Sequence, residues 1–422
     1  MKIAVIGGGS SYTPELMKGL FEISNSIDLK EIYLHDIEES SKRLDIIKAF
    51  ITKMKEASDL SLEIKTGFSF EEAIKDSSFI IFQFRPGMLR GRLRDETIPL
   101  KYNLIGQETT GVGGFTAALR AFPIVEKYIS KVQKNSPDAY VINFTNPSGH
   151  ITEFVRNYLN FDSFIGLCNV PVNLLNELSE RFGGTPDSYT LKYYGLNHLS
   201  FTEKILKFNT DITENVLQEY TQEMTNIKGA DFPSWLVESV KLLMNPYMRY
   251  YLMTDTMFKE IKDNEPRAKQ VMKIEEKLFE IYEKTTSVKL PELLSQRGGS
   301  RYSQAAAYLI KTLVTKDDKT HIVNVPNNGS IKNLPDDYIL EVPAKFQKDN
   351  FNSISQGRGN DFPLSWVDNI KHFERLAINT YLKKSKDLAI QSLLVHPLGP
   401  CAENVSSLLK EITEENKINF LE

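Results

Sequence analysis

The sequence predicts an α/β protein: a doubly wound parallel sheet, followed by a mixed α+β region. Three observations carry this. Apolar, β-branched runs alternate with helical stretches through roughly the first 185 residues. A run of glycines joins the first such strand to the first helix. Beyond that point the texture changes to antiparallel strand pairs and long helices.

Taken in order, "KIAVIG" and "EIYLHD" read as the opening strands, and "SFIIFQF", "AYVINFT" and "FIGLC" as the fourth, fifth and sixth. The stretches "SYTPELMKGLFEI" and "ESSKRLDIIKAFITKMKEA" between them have helical texture. The alternation predicts a Rossmann-like sheet over residues 1–185 with helices on both faces. In 186–422, "LKYYGLNHLSFTEKILKF" reads as antiparallel strands, and "HIVNVPNNGS" with "YILEVP" as a second strand pair. Helix dominates from Trp366 to about Leu409. No Pro/Gly/Ser linker separates the halves, so a shared interface is expected, with the active site in the crevice between them.

Composition narrows the class. The chain has 422 residues, 41% hydrophobic and 25% charged, with a formal net charge of -4. Such a surface offers no bulk attraction to nucleic acid or acidic membranes. No apolar span suits a signal peptide or a membrane helix. Two cysteines, Cys168 and Cys401, do not make a disulfide framework at this size. A cytoplasmic protein with reduced thiols is expected.

Gly7, Gly8 and Gly9, followed by Ser10 and Ser11, lie between strand and helix. Glycine there allows the tight turn and close phosphate approach, and the helix start offers free N–H groups to the anion. Tyr12 replaces the third glycine of the usual dinucleotide fingerprint. Asp36 ends the second strand, where a carboxylate accepts hydrogen bonds from a ribose and disfavours a 2′-phosphate; NAD is therefore expected over NADP. A helix cap before "IEESSKRL" is the plainer role for Asp36.

Two polar stretches follow the fourth and fifth strands. "QFRPGMLRGRLRDETIPLKYNLIGQETTGVGGFTAALR" carries Gly106, Gly111, Gly113 and Gly114, and "VINFTNPSGHITEF" carries Asn143 and Asn146. A solvated basic helix for Arg85, Arg90, Arg92 and Arg94, and turn service for the asparagines, are respectable alternatives. Their joint placement at carboxyl ends of strands favours a polar substrate. Cys168 ends the sixth strand and His198 lies in "GLNHLSF"; thiolate and imidazole together could share a divalent metal. Spacing alone leaves an ordinary buried thiol as the alternative.

The segments "GGGSSYTPEL", "RLRDETIPLKYNLIGQETTGVGG", "NFTNPSG", "CNVP", "GLNHLSF", "NPYMRYYLMTD" and "PELLSQRGGSRYS", in this order, closely resemble glycoside hydrolase family 4, specifically its 6-phospho-β-glucosidase members. The resemblance covers about residues 2 to 345. It implies an NAD-dependent glycosidase outside the two-carboxylate scheme. In that family the sugar is oxidised at C3 by hydride transfer to NAD, a base takes the C2 proton, and the aglycone leaves C1 by elimination. Water then adds and C3 is reduced again. A divalent metal, most often Mn²⁺, binds the C2 and C3 oxygens. By motif match the metal ligands are Cys168 and His198, the base is Tyr247 (with Tyr250 and Tyr251 as neighbours), and Glu108 supports the base. Substrate contacts are assigned to Arg92, Asn146 and Asn169, with Arg297 of "RGGS" serving its own or a neighbouring subunit's site. Members acting on α-linked substrates carry Asp where this chain has Asn169; an amide is no proton donor, so phosphorylated β-glucosides are the expected substrates. A homodimer or homotetramer is expected. Two rivals stand beside this reading. An NAD-dependent 2-hydroxy acid dehydrogenase of lactate or malate type would need a catalytic His with an Asp partner, which is not evident. A non-enzymatic NAD(H)-responsive protein would leave Cys168, His198 and Tyr247 unexplained.

Overall fold

Strand β1 (Lys2–Ile6) buries Ile3, Ala4, Val5 and Ile6 almost completely, as a central parallel strand covered on both faces must. It belongs to a computed structural model that describes residues 1–219, 231–298, 301–347 and 350–421. The strands β2 (Glu31–His35), β3 (Glu63–Gly67), β4 (Phe79–Phe82), β5 (Tyr140–Asn143) and β6 (Phe164–Gly166) lie parallel to it in the order β3-β2-β1-β4-β5-β6. That order reverses direction between β1 and β4. The crevice at their carboxyl ends is the switch point where such sheets bind dinucleotides.

In the second half, β7 (Tyr189–Leu196), β8 (Leu199–Lys207), β9 (Thr210–Asp211) and β10 (Leu243–Met244) form an antiparallel sheet. Only Asn197 and His198 connect β7 to β8, and His198 sits in the left-handed region at φ +65°. Strands β11 (Thr320–Pro326), β12 (Ile339–Gln347) and β13 (Asn350–Ser353) are the second strand pair the sequence predicts, with one strand more. They do not form a sheet of their own. β11 pairs antiparallel with β6 through Asn324 and Gly166, so one nine-stranded sheet takes strands from both sides of residue 185.

The helices tie the halves further. Tyr302–Thr315 packs on Thr13–Ile23, and Arg267–Lys284 packs on Ser41–Ala57 and Met88–Thr97. One hydrophobic core joins Ile3, Phe82 and Phe154 to Tyr282, Leu309 and Phe373. The helical C-terminus resolves into Asp361–Lys383, Lys386–Val395 and Ala402–Asn416. Among the described residues, no helix is long and apolar enough to cross a membrane.

Candidate active site

The glycine turn after β1 is built for close approach. Gly7 has φ +94°, and a Cβ there would lie 2.9 Å from the Phe84 nitrogen, so a side chain is excluded on both counts. Asp36 leans over the turn: its Oδ2 accepts from the Gly9 N–H at 2.7 Å and its Oδ1 from the Ile37 N–H at 2.8 Å. It does not cap helix Ser41–Ala57, whose N-cap position is Ser40. A cleft of about 320 Å³ opens here, lined by Gly7, Gly9, Ser10, Asp36, Arg85 and Asn146 among others. Its size and place fit a dinucleotide.

Two of the residues assigned from sequence are held here by protein partners. Ser11 is fully buried and donates its hydroxyl to Glu275 Oε1 at 3.0 Å, tying the turn to helix Arg267–Lys284 instead of lining the cleft. Arg297 lines the same cleft as Asp36, not the pocket of Arg92. Its Nε and Nη2 donate to Glu275 Oε1 at 2.9 and 2.8 Å, and its guanidinium lies 4.8 Å over the Tyr12 ring. Burial would raise the Glu275 carboxyl, but Arg297 and Arg43 overcome it and hold it low. Of the "RGGS" motif, Gly299 and Ser300 lie outside the described residues.

A second group of assigned residues gathers beyond the carboxyl end of β6. Cys168 is buried just after β6, its Sγ accepting from the Val170 N–H at 3.5 Å. His198 enters from the β7–β8 turn. Tyr247 comes from the single turn Pro246–Met248, anchored by Asn245 Oδ1, which accepts its N–H at 3.0 Å. The His198 and Tyr247 rings stack with centroids 3.9 Å apart and planes 1° from parallel. Cys168, Tyr247 and Tyr250 share one buried cluster. The three residues matched to metal and base therefore converge. The neighbouring tyrosines stay close: the Tyr250 ring lies 6.0 Å from that of Tyr247 between centroids and also lines a cavity with Arg92, while the Tyr251 hydroxyl faces His396 Nε2 at 3.5 Å.

Glu108 sits between two arginines. It pairs with Arg85, and its Oε1 lies 3.0 Å from Arg92 Nη1. Burial pushes its carboxyl up, but Arg85 and Arg92 outweigh burial and hold it at about 2. Burial pushes the Tyr247 phenol well above its ordinary range, and the charge of Glu108 adds to this while Arg92 opposes it. Burial also raises the Cys168 thiol, helped by Glu341. His198 goes the other way: burial, only partly opposed by Glu108, lowers it to about 4, so it is neutral at pH 7.

A neutral imidazole is what a metal ligand requires. His198 Nδ1 is engaged with Thr109 Oγ1 at 3.0 Å, which leaves Nε2 toward a ligand. Among the described residues, no three His, Cys, Asp or Glu side chains are grouped to hold a metal alone. A metal at Cys168 and His198 would thus keep positions open for substrate oxygens, and the N/S donor pair suits a divalent transition ion.

Of the basic helix Met88–Thr97 and the residues before it, only some face the site. Arg90 is exposed, and Arg94 donates to Asn416 Oδ1 at 2.9 Å. Arg92 donates to Glu96 Oε1 at 2.6 Å, and Arg85 links Glu108 to the dinucleotide cleft. Asn146 lines that cleft, whereas Asn143 organises its own turn through Thr145. Asn169 is buried beside Cys168 at the head of helix Val170–Phe182.

Arg267 escapes sequence reasoning, because no motif surrounds it beyond the preceding Pro266. It lines a cavity of about 90 Å³ with Arg92, Glu96, Tyr250 and Gln270. Its Nε is buried without a hydrogen bond, and burial followed by the nearby Arg92 charge lowers its pKa. Two guanidiniums face this cavity together with the carboxylates of Glu96, Glu260 and Glu265, and an anion is the ligand the guanidiniums would recognise.

Residues 2–183 match the sequence model of the family 4 glycosyl hydrolases, and residues 193–399 match that of the family's C-terminal domain. A 6-phospho-beta-glucosidase of Thermotoga maritima is 54% identical over 419 residues, 99% of each chain. A solved structure of the 6-phospho-beta glucosidase from Thermotoga maritima with manganese, NAD+ and glucose-6-phosphate has a TM-score of 0.93 at 53% identity, covering 99% of this chain and 98% of that one. A lactate dehydrogenase from Eimeria maxima reaches a TM-score of only 0.53 at 14% identity, covering 91% and 97% of the two chains. That last likeness is one of fold alone and does not support the dehydrogenase alternative.

Proposed function

The chain belongs to family 4 of the glycosyl hydrolases, and from that premise we propose that it is an NAD- and Mn²⁺-dependent 6-phospho-β-glucosidase acting on phosphorylated β-glucosides such as cellobiose 6-phosphate. The observation that carries the reading is the stacking of His198 on Tyr247 beside Cys168, with Glu108 and Arg92 next to them. When bound, NAD supplies the hydride acceptor at sugar C3, and the metal supplies a Lewis acid at the C2 and C3 oxygens and a positive charge beside Tyr247.

The chain's residues do the rest. Gly7, Gly9 and Ser10 admit the dinucleotide phosphates, and Asp36 meets the adenosine ribose. Cys168 and His198 hold the metal. Arg92 and Arg267 bind the 6-phosphate, a role the latter takes in place of Arg297. Tyr247 takes the C2 proton: the C2–H bond breaks, its electron pair becomes the C1–C2 double bond, and the C1–oxygen bond to the aglycone breaks. Its phenol needs a cation nearby to ionise near neutrality. Glu108, as an anion, keeps the phenolate basic and balances the arginines. Asn169 offers no acidic proton, in keeping with a β-linked substrate. Residues 1–185 carry the dinucleotide and 186–422 the base and the imidazole, and the enzyme works as a cytoplasmic homodimer or homotetramer on sugars delivered by a phosphorylating uptake system.

The test is hydrolysis of p-nitrophenyl-β-glucoside 6-phosphate in D₂O, with and without Mn²⁺ and NAD⁺, against the unphosphorylated glucoside. Turnover should need both additions and the phosphate, and should place deuterium at C2 of the glucose 6-phosphate. Turnover without deuterium at C2 would eliminate proton abstraction by Tyr247.

A further inference from the structure

A neutral imidazole can present either ring nitrogen as a lone pair, and the hydrogen bond at the other nitrogen decides which. Here the decision can be followed atom by atom. The Thr109 backbone N–H, which can only donate, lies 2.6 Å from Gln107 Oε1. That atom is therefore the side-chain carbonyl oxygen and not the amide nitrogen. A carbonyl oxygen only accepts, so the Thr109 hydroxyl, 2.9 Å from it, must direct its one proton there. Toward His198 Nδ1, at 3.0 Å, Thr109 Oγ1 is left with lone pairs alone. Nδ1 must then carry the imidazole proton, and Nε2 is the free lone pair.

From this chain of bonds we infer that Thr109, oriented by Gln107, is a positioning residue that fixes the tautomer of His198 so that Nε2 is its metal-binding nitrogen. The inference rests on the reading of His198 as a metal ligand. Tyr247 restrains the ring's plane from one face, at 3.9 Å between centroids, and Thr109 restrains its rotation from one edge. The turn that carries the imidazole leaves it little freedom of its own, since His198 lies between the paired ends of β7 and β8. Such partners of ligating histidines hold both orientation and proton location, and their loss typically weakens metal binding.

The experiment measures Mn²⁺ affinity by electron paramagnetic resonance on the full chain, for wild type, Thr109→Val, Thr109→Ser and His198→Ala. In parallel, ¹⁵N NMR of histidine-labelled, metal-free protein reads which nitrogen of His198 is protonated. Valine matches threonine in shape but cannot accept a hydrogen bond; Thr109→Val should weaken Mn²⁺ binding about 10–100-fold, while Thr109→Ser should stay within about threefold of wild type. Wild type and Thr109→Ser should show a protonated Nδ1, and Thr109→Val should lose that preference. NAD binding retained by Thr109→Val shows that the fold survives. Wild-type Mn²⁺ affinity in Thr109→Val, or equal weakening in the serine variant, would overturn the positioning role. Wild-type affinity in His198→Ala would instead remove the ligand assignment beneath it.

Discussion

Glu108→Gln isolates one charge in the pocket without changing its shape. In the native protein the carboxylate faces Arg85 and Arg92, and its side chain is only 10% exposed. Those arginines bring it from 4.5 down to about 2 against the opposing effect of burial. A depression of that size is worth about 3 kcal/mol of folding stability at pH 7. Arg85 is 34% exposed, so solvent screens its share, and about 2–3 kcal/mol is the better expectation. At an unfolding entropy of about 2 cal/mol/K per residue, a chain of this length should melt about 3 °C lower as the glutamine variant. The pH dependence has a definite sign. A depressed carboxyl contributes fully above its unfolded pKa, near 4.5, and the contribution fades as pH falls toward about 2. The gap in melting temperature between wild type and variant should therefore be constant from pH 7 to 5 and narrow to about half near pH 3. Differential scanning calorimetry across that range decides it. Equal melting at pH 7, or a gap that does not change with acid, would refute the electrostatic account.

Three further outcomes are expected. Arg267→Ala should raise KM for the phosphorylated substrate about 10–100-fold, the cost of a lost charge-assisted contact, and leave any turnover of unphosphorylated glucoside nearly unchanged; equal losses on both substrates would make it structural. Asp36→Ala removes the acceptor for two backbone N–H groups and, on the proposed role, for the ribose, so isothermal titration should show NAD binding at least about 10-fold weaker. Lys371 is wholly buried between Glu153 and Glu374, at 3.0 and 2.6 Å, so Lys371→Met should destabilise the fold by about 3–5 kcal/mol, measured as a lower urea midpoint.

The parallel strands were legible because β1, β4, β5 and β6 are apolar on both faces, the signature of a covered sheet. β3, "EIKTG", lies at the sheet's edge with mostly half-buried residues and announces itself poorly. The junction of β11 with β6 was not legible at all, since it rests on one pair of residues from opposite halves. The same distinction runs through the site. Gly7 and Asp36 stand at the ends of neighbouring strands β1 and β2, whose pairing the alternating pattern announces. Ser11 and Arg297 are both captured by Glu275, a carboxylate on a distant helix that no local pattern connects to either. Arg267 acquires its place only when its helix packs against Met88–Thr97.

The stretch Gln107–Thr110 is polar, precedes a glycine-rich helix start, and ties the surrounding elements together through its side chains. Glu108 holds Arg85 and Arg92, Thr109 holds His198, and the Thr110 side chain hydrogen-bonds Tyr251. Three consecutive residues thus reach the two arginines, the His198 imidazole and Tyr251. They can do so only if their backbone lies against the start of helix Gly111–Asn135. A Cβ on Gly113 would overlap the Gln107 carbonyl oxygen, and one on Gly114 would come within 2.6 Å of Thr109 backbone atoms. The glycines are therefore there to bring two pieces of protein together, not to admit a ligand. Gly7 also meets the chain where its Cβ would stand, 2.9 Å from the Phe84 nitrogen, but its positive-φ backbone lines the cleft as well. Composition alone cannot separate these uses; what separates them is whether the glycine's backbone lines the cleft, as Gly7 does, or is enclosed by the chain, as Gly113 and Gly114 are.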